Sequence, residues 1–304
     1  MLPSIRCAAQ PFGPHLTVTP LRFAIPSSLS DWEEDSHLQA VEHARHTDRI
    51  ERAADARWRN RPIEGAHPYV YLDGIVLKRS WTGEVRNVPL PVAIGVSAEG
   101  FREILGIGEG AKEDKAGWSG FPAHLKQRGL GGVELVISDA CLGLVESAAE
   151  HFPKALGQRC VVPWYRSLFS HVPREKVREV AAMLKAIHAQ EDRAAAEAKA
   201  RDVTAKLRAA RMRKAADRVE QGVMETLGCY AFPEPHWRRV RTNNPLERII
   251  REIRRRTRVV GAFPDGESAL NLAAARLRHI AGTHGSTKRY LDMPPLHETK
   301  LKIA

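Results

Sequence analysis

Cysteine is scarce in this chain of 304 residues, and aromatic residues make up only 6% of it. The four cysteines, Cys7, Cys141, Cys160 and Cys229, lie far apart without a Cys-x-x-Cys pair, which argues against a zinc finger or a disulfide scaffold. No apolar run is long enough to span a membrane, and the N-terminus has no signal-peptide pattern. These absences predict a soluble protein with reduced thiols in the cytosol.

Positive charge is abundant. The formal net charge is +11, which favours a polyanionic partner, with nucleic acid as the first candidate, over a membrane or a small-molecule substrate. Hydrophobic residues account for 43% of the chain, enough to bury a substantial core. The length suits one large domain with an insertion, or two domains.

The arginines concentrate in one stretch. Residues 237–258 contain nine arginines and two acids, Glu247 and Glu252. A surface formed by these arginines would attract the phosphates of DNA. We predict DNA contacts from Arg248, Arg251, Arg254, Arg255, Arg258 and Trp237.

The same stretch predicts a helix. Asn244 is placed as its cap and Pro245 as its first helical residue, followed by an apolar face at helical spacing. That face comprises Leu246, Ile249, Ile250 and Ile253. Glu247 then lies among arginines. It is either half of a capping box, the partner of Arg251 one turn on, or a catalytic carboxylate.

An α/β fold is predicted by the pattern before this helix. Apolar β-rich runs at 69–77, 86–96 and 101–108 predict a three-stranded antiparallel meander. Further short strands are predicted at 132–139 and 159–162. Helices are predicted at 31–60, 114–128, 142–151, after Pro163, and at 267–280. Residues 229–236 are expected to be a linker.

Two aspartates on these strands have distinctive positions. Asp73 interrupts an apolar strand, and Asp139 ends another. Asp73 is either a hairpin-turn residue or a site residue, and Asp139 is either a helix cap or a site residue. If their strands are neighbours, Asp73 and Asp139 converge, and with Glu247 they offer the hard oxygen ligands that Mg²⁺ or Mn²⁺ prefers.

Several segments carry a resemblance to the bacterial Mutator-type DDE transposases of insertion sequences. They are WRNRPIEG (58–65), YVYLDGIVLK from Tyr69, VAIGVSAEGFREILG from Val92, LVISDACLGL from Leu135, and RTNNPLERIIREIRRRTRVVGAFP from Arg241. The match runs from about Trp58 to Leu296. The intervals of 66 residues from Asp73 to Asp139 and 108 from Asp139 to Glu247 also resemble the family spacing.

The resemblance implies an RNase H-like core with an all-helical insertion and C-terminal helices. Asp73, Asp139 and Glu247 would be the catalytic triad and metal ligands, holding two Mg²⁺ or Mn²⁺ ions. The partners implied are terminal inverted repeats and target DNA, with a homo-oligomer on DNA, in the bacterial cytosol and nucleoid. The segments expected are 1–60 (N-terminal remnant), 61–173 (first part of the core), 174–228 (insertion), 229–281 (end of the core) and 282–304 (loose tail).

The sequence also departs from the family pattern. Cys160 is followed by Val161, Val162 and Pro163, where the family carries Cys-x-x-His, and the N-terminal region is short. These departures leave two further hypotheses open. One is a truncated, inactive remnant that only binds DNA, and the other is a structure-selective nuclease of similar fold.

Overall fold

The structure is a computed structural model that describes residues 52–81, 84–110, 115–139, 142–283 and 287–303. Most of the segment 1–60, including most of the helix predicted at 31–60, lies outside these residues. Its described part contains a helix over residues 52–59, named α1.

Five strands form one mixed sheet, which confirms the α/β class. They are β1 (Tyr69–Trp81), β2 (Glu84–Val96), β3 (Arg102–Ile107), β4 (Leu135–Ser138) and β5 (Leu156–Arg159). Their order across the sheet is β3-β2-β1-β4-β5. The first three strands pair antiparallel, as predicted, whereas β4 and β5 run parallel to β1. The central strand β1 therefore lies directly beside β4.

Both faces of β1 are covered, because its side chains alternate between two cores. Tyr69, Tyr71 and Ile75 belong to one buried cluster, whereas Val70 and Leu72 belong to another. The second cluster is covered by α2 (Lys115–Gln127) and α3 (Leu142–His151). The first cluster is covered by α8 (Glu234–Val240), α9 (Asn244–Thr257), α10 (Gly266–Ala281) and α11 (Pro294–Ile303). A continuous apolar strand is the expected signature of this two-sided burial.

The helical segment predicted at 174–228 has a core of its own. Its helices α5 (Val177–Ile187), α6 (Arg193–Ala209) and α7 (Arg213–Gly222) pack together with α4 (Val161–Phe169) in a third buried cluster. Short 3₁₀ turns lie at Arg174–Lys176, Met224–Thr226 and Gly228–Ala231. Arg241, just before α9, donates a hydrogen bond of 2.8 Å to the carbonyl of His188, which connects these helices to the site described below.

The strand predicted at 159–162 is wrong in position. The structure places β5 earlier and starts α4 at Val161. The two β-branched residues Val161 and Val162 favour a strand, but Pro163 suits the first turn of a helix because its missing N–H has no partner there. The backbone N–H of Val161 instead donates to the carbonyl of Arg241 at 3.1 Å. This tertiary contact prevails over the local preference.

Two segments predicted to lack regular structure are helical. The linker predicted at 229–236 contains a 3₁₀ turn and the start of α8, with Cys229 and His236 buried. The tail predicted to be loose, residues 282–304, contains α11, and it buries Leu291, Met293 and Leu296 against the sheet. Prolines at the starts of both helices mislead a sequence-based prediction, because Pro disrupts a helix interior but suits its first turn. In the described part of the chain, no helix is long and apolar enough to cross a membrane.

Candidate active site

Asp73 and Asp139 occupy matching positions on neighbouring parallel strands. The register of β1 and β4 pairs Leu72 with Ser138, the residues immediately before the two aspartates. In each strand, the residue two positions before the aspartate is buried in the cluster covered by α9. Because side chains alternate across a strand, both carboxylates belong to that face of the sheet.

The interpretation of Asp73 as a hairpin-turn residue is wrong. Asp73 lies inside β1, where it pairs with Val92 of β2, and the pairing continues well beyond Gly74. A carboxylate at this half-buried position costs free energy unless polar partners offset it. The backbone N–H of Gly74 donates to Asp73 Oδ1 at 2.7 Å and provides one such partner.

Helix α9 brings Glu247 to the same face. Its apolar side is fully buried at Leu246, Ile250 and Ile253, as the spacing predicted, and Ile249 packs at the edge. Burying each of these large aliphatic side chains stabilises the docking by roughly 1.5–3 kcal/mol. Glu247 lies beside this buried stripe, and its carboxylate is close enough to Asp73 and Asp139 to raise the pKa of both.

The cap of α9 is Asn243, not the predicted Asn244. The helix begins at Asn244, so Pro245 is its second residue, and the carbonyl of Asn243 accepts the N–H of Glu247 at 2.9 Å. Within the described residues, no group donates a hydrogen bond to the Glu247 side chain. Neither the capping box nor the pairing with Arg251 is therefore formed there.

The Asn243 side chain does not cap the helix but bonds to strand β1. It is completely buried, and its Nδ2 donates to the carbonyl of Leu72, next to Asp73, at 3.3 Å. Its backbone N–H lies 3.1 Å from Cys160 Sγ, and the N–H of Cys160 donates to the carbonyl of Ser138, next to Asp139, at 2.8 Å. Asn243 therefore connects the backbone positions of all three acids.

The sequence alone does not reveal this connection. The segment that contains Asn243 carries the family resemblance, and Cys160 is distinctive there only for the histidine missing three residues later. The structure gives Cys160 a structural position: it is buried, and burial raises the pKa of its thiol to about 11. The protonated thiol is a hydrogen-bonding sulfur at neutral pH rather than a thiolate nucleophile.

We name Asp73, Asp139 and Glu247 the acidic site. Burial, followed by the negative charges of Asp139 and Glu247, raises the pKa of Asp73 to about 7, against the opposing effects of the Gly74 N–H and Arg254. Burial and Glu247 also raise the pKa of Asp139. The charged form of the acidic site is thus short of positive counter-charge.

Positive charges do approach the acidic site from three elements. Arg254 of α9 acts on Asp73, and Arg159 of β5 and Arg166 of α4 act on Asp139, in each case lowering the pKa of the aspartate. Arg254 is predicted from the sequence, whereas Arg159 and Arg166 are not. The sequence gives little indication that Arg159 and Arg166 approach the acids, since each is a single basic residue outside the arginine-rich stretch.

The predicted DNA contacts fall into two groups. Arg248, Arg251, Arg254, Arg255 and Arg258 all lie on the outer side of α9 or at its end, and their role stays a prediction. Arg255 already pairs with Glu252 at 2.8 Å. Trp237 is half-buried, with its ring centroid 4.5 Å from that of Tyr230 and its indole N–H bonded to the carbonyl of Phe232. Its contact with DNA also stays a prediction.

The donors of the acidic site fit a hard divalent cation in chemistry, because all are carboxylate oxygens without enough counter-charge. Their arrangement is open, however: in the part of the chain that the structure describes, no three His, Cys, Asp or Glu side chains are grouped closely enough to hold one ion. Mg²⁺ seldom needs such a cage, since it usually binds one or two carboxylates and completes its shell with water and substrate phosphate.

Neutralising Asp73 should stabilise the metal-free protein. Its pKa is about 7 in the folded state and near 3.9 when unfolded, so folding takes up a proton between these values. The contribution of Asp73 to stability therefore falls as pH rises from about 4 to 7 and is constant above that. We expect Asp73→Asn to raise the free energy of unfolding by about 1–3 kcal/mol at pH 8, and by little at pH 4.

Urea unfolding in a chelating buffer across this pH range would measure the difference. Asp217→Asn is the matched control, because Asp217 is more than half exposed on α7 in the helical insertion, where its ion pair with Arg208 at 3.5 Å is open to solvent and contributes little. A variant of Asp73 that is no more stable than wild type at pH 8 would show that its carboxylate is adequately compensated.

The sequence matches the family model of Mutator-family transposases over residues 38–284. Among curated proteins, it is 38% identical over 256 residues to the transposase for insertion sequence element IS1081 of Mycobacterium tuberculosis, covering 84% of this chain and 61% of that protein. It is 35% identical to the transposase for ISRM5 of Rhizobium meliloti, covering 79% and 60%. For the transposase of IS256 in transposon Tn4001 of Staphylococcus aureus, the identity is 32% and the coverage 73% and 57%.

The chain thus spans about three fifths of the length of these relatives. The family match covers β1, β4 and α9, the three elements that carry the acidic site. On this match, the chain belongs to the Mutator family of transposases.

Proposed function

We propose that this chain carries the catalytic core of a DDE transposase, which cleaves DNA at the terminal inverted repeats of an insertion sequence and joins the ends to target DNA. The observation that carries the proposal is the acidic site: three carboxylates from β1, the end of β4 and α9, held on one face and short of positive charge. An RNase H-like core is part of the proposal. It is supported by an antiparallel meander that continues into two parallel strands.

The carboxylates, the arginines of α9 and Asn243 would each have a different role. Asp73, Asp139 and Glu247 would hold two Mg²⁺ or Mn²⁺ ions, which when bound would activate a water or a 3′-hydroxyl and stabilise the leaving oxygen of a phosphodiester. The exposed arginines of α9 would hold the DNA backbone, since guanidinium groups bind phosphate oxygens in pairs. Asn243 would keep the three carboxylates at fixed relative positions.

The chemistry consists of two displacements at phosphorus. In cleavage, a water oxygen bonds to the scissile phosphorus, the bond to the 3′-oxygen breaks, and the departing strand end takes up a proton as a 3′-hydroxyl. In strand transfer, that hydroxyl loses its proton, attacks a target phosphate and displaces another 3′-oxygen. No external oxidant or energy source is needed, because each bond broken is replaced by an equivalent bond.

The test is a cleavage assay on the full chain with duplexes carrying the ends of its own insertion sequence, with Mg²⁺ or Mn²⁺. We expect nicks at the repeat ends, and a chelator should abolish them. Cutting of scrambled duplexes at an equal rate would favour a structure-selective nuclease. DNA binding that survives chelation, with no cutting under either metal, would favour an inactive, DNA-binding remnant.

A further inference from the structure

A basic pocket lies beside the start of α9, away from the acidic site. We name it the arginine pocket, and it has a volume of about 420 Å³. It is lined by four arginines from three elements: Arg102 of β3, Arg238 and Arg239 of α8, and Arg248 of α9. Of these, only Arg248 belongs to the DNA contacts predicted from the sequence.

The arginine pocket and the acidic site lie on opposite flanks of α9. Successive helical residues are turned by about 100°, so Arg248 points well away from Glu247. Arg254, which acts on Asp73, lies two turns after Glu247 and shares its flank. Arg248 instead shares a flank with Glu252, four residues on, and the two line a neighbouring pocket together.

The charge of the arginine pocket is unbalanced. No acidic side chain lines it, and none of its four arginines forms an ion pair with a carboxylate in the described part of the chain. Arg102 and Arg248 also line the neighbouring pocket, which contains Glu103 and Glu252, whereas Arg238 and Arg239 line only the arginine pocket. Like charges gathered without a counter-ion repel one another, and a bound anion would remove that repulsion.

The arginines are also held in place. The guanidinium groups of Arg102 and Arg239 each lie 4.9 Å from the ring centroid of Tyr290, and such stacking orients them. Tyr290 is itself anchored, since its backbone N–H donates to the carbonyl of Gly100 at 2.7 Å. Within the described residues, Nε of Arg102 is buried without a hydrogen-bond partner. Two arginines are thus fixed by packing while their charges remain available.

The polar groups between the arginines also suit a phosphate. Thr242 and Asn244 line the arginine pocket at the amino-terminal end of α9. Side-chain hydroxyl and amide groups donate to phosphate oxygens, and the positive end of the helix dipole adds to the attraction. Planar guanidinium groups bind phosphate with two parallel hydrogen bonds, which a lysine cannot do.

We propose that the arginine pocket binds a backbone phosphate of DNA other than the scissile one. The inference rests on the proposed function, because the scissile phosphate must lie at the acidic site on the opposite flank of α9. DNA that reaches both places would be held on both sides of this helix. The arginine pocket would then contribute to affinity and to the position of the duplex without contacting the reacting atoms.

The test compares DNA affinity in Arg239→Ala and Arg238→Ala with that of the wild-type chain. Arg239 stacks on Tyr290, whereas Arg238 makes no such stacking contact within the described residues, so its removal spares the packing. Arg201→Ala is the charge-matched control, because Arg201 is exposed on α6 in the helical insertion. The dissociation constant of a fluorescent duplex would be measured over a series of salt concentrations in a chelating buffer.

We expect each pocket variant to weaken duplex binding about tenfold near physiological salt, and to lower the slope of log K against log salt by about 0.9 for each phosphate that is no longer bound. The control should keep the wild-type constant and slope. Pocket variants that match the control would overturn the assignment. So would calorimetry in which inorganic phosphate saturates the wild-type site while duplex binding is unchanged in the variants, since that identifies a site for free phosphate. A wild-type chain that binds no DNA would instead contradict the proposed function itself.

Discussion

With Asn in place of Asp139, the chain is expected to lose at least about 10³-fold of its DNA cleavage rate. The substitution keeps the shape of the side chain but removes one of three negative charges. Metal-assisted displacement at phosphorus gains several kcal/mol from the bound ion, and each factor of ten in rate corresponds to about 1.4 kcal/mol. Because Asp139 is among the groups that raise the pKa of Asp73, the variant should also titrate Asp73 at a lower pH.

The measurement is single-turnover cleavage of repeat-end duplexes by the purified full chain. Glu247→Gln and Asp73→Asn should show losses of the same order, whereas Asp217→Asn should cut like wild type. DNA affinity should remain within about threefold of the wild-type value, since the phosphate contacts are assigned to arginines. Cleavage by Asp139→Asn within about tenfold of the wild-type rate would remove this aspartate from the mechanism.

Asn243→Ala is expected to reduce cleavage about 10²-fold without altering any carboxylate. The Nδ2 bond to the carbonyl of Leu72 is removed, so the start of α9 loses this hydrogen bond to β1 while its apolar side still packs on the sheet. A displacement of about 1 Å in a catalytic group can cost about 10²-fold in rate. Removing a hydrogen bond to this buried carbonyl should also cost about 0.5–1.5 kcal/mol of stability.

A control variant with lower folding stability distinguishes the effect of misplaced carboxylates from the effect of destabilising the fold. Val203→Ala removes two buried methyl groups from α6, in the helical insertion, and should lose comparable stability while cutting at the wild-type rate. The metal concentration needed for half-maximal cleavage should rise in Asn243→Ala alone, because only there do the ligands move apart. If both variants lose activity in proportion to their loss of stability, Asn243 acts only through folding.

The acids and their supporting strands could be predicted from the sequence, because the information is local. An apolar run interrupted by Asp73, a short strand ending at Asp139, and a helix with one acid among arginines are each visible within a short window of sequence. The hydrogen bond that connects these elements joins residues far apart in the sequence. The bond from Asn243 to Leu72 crosses most of the chain, and no pattern near either residue indicates it.

The same reasoning explains the errors. The start of α4 depends on a bond between Val161 and Arg241, and α11 depends on burying Leu296 against the sheet. The arginine pocket draws its arginines from separate elements and positions two of them on Tyr290, near the C-terminus. Composition predicts that such a chain binds a polyanion, but only the fold shows where these arginines meet, none of them in an ion pair with a described carboxylate.

The order of the acids along the chain has a consequence during synthesis. A ribosome releases β1 and β4 first, then the whole helical insertion, and only afterwards Asn243 and Glu247. A nascent chain that ends before α9 therefore carries both aspartates but lacks the third acid, the connection that aligns them, and the helices that cover one face of the sheet. Until translation has passed α9, the growing polypeptide lacks one of the three proposed metal ligands, so we expect DNA cleavage only after this helix has been made.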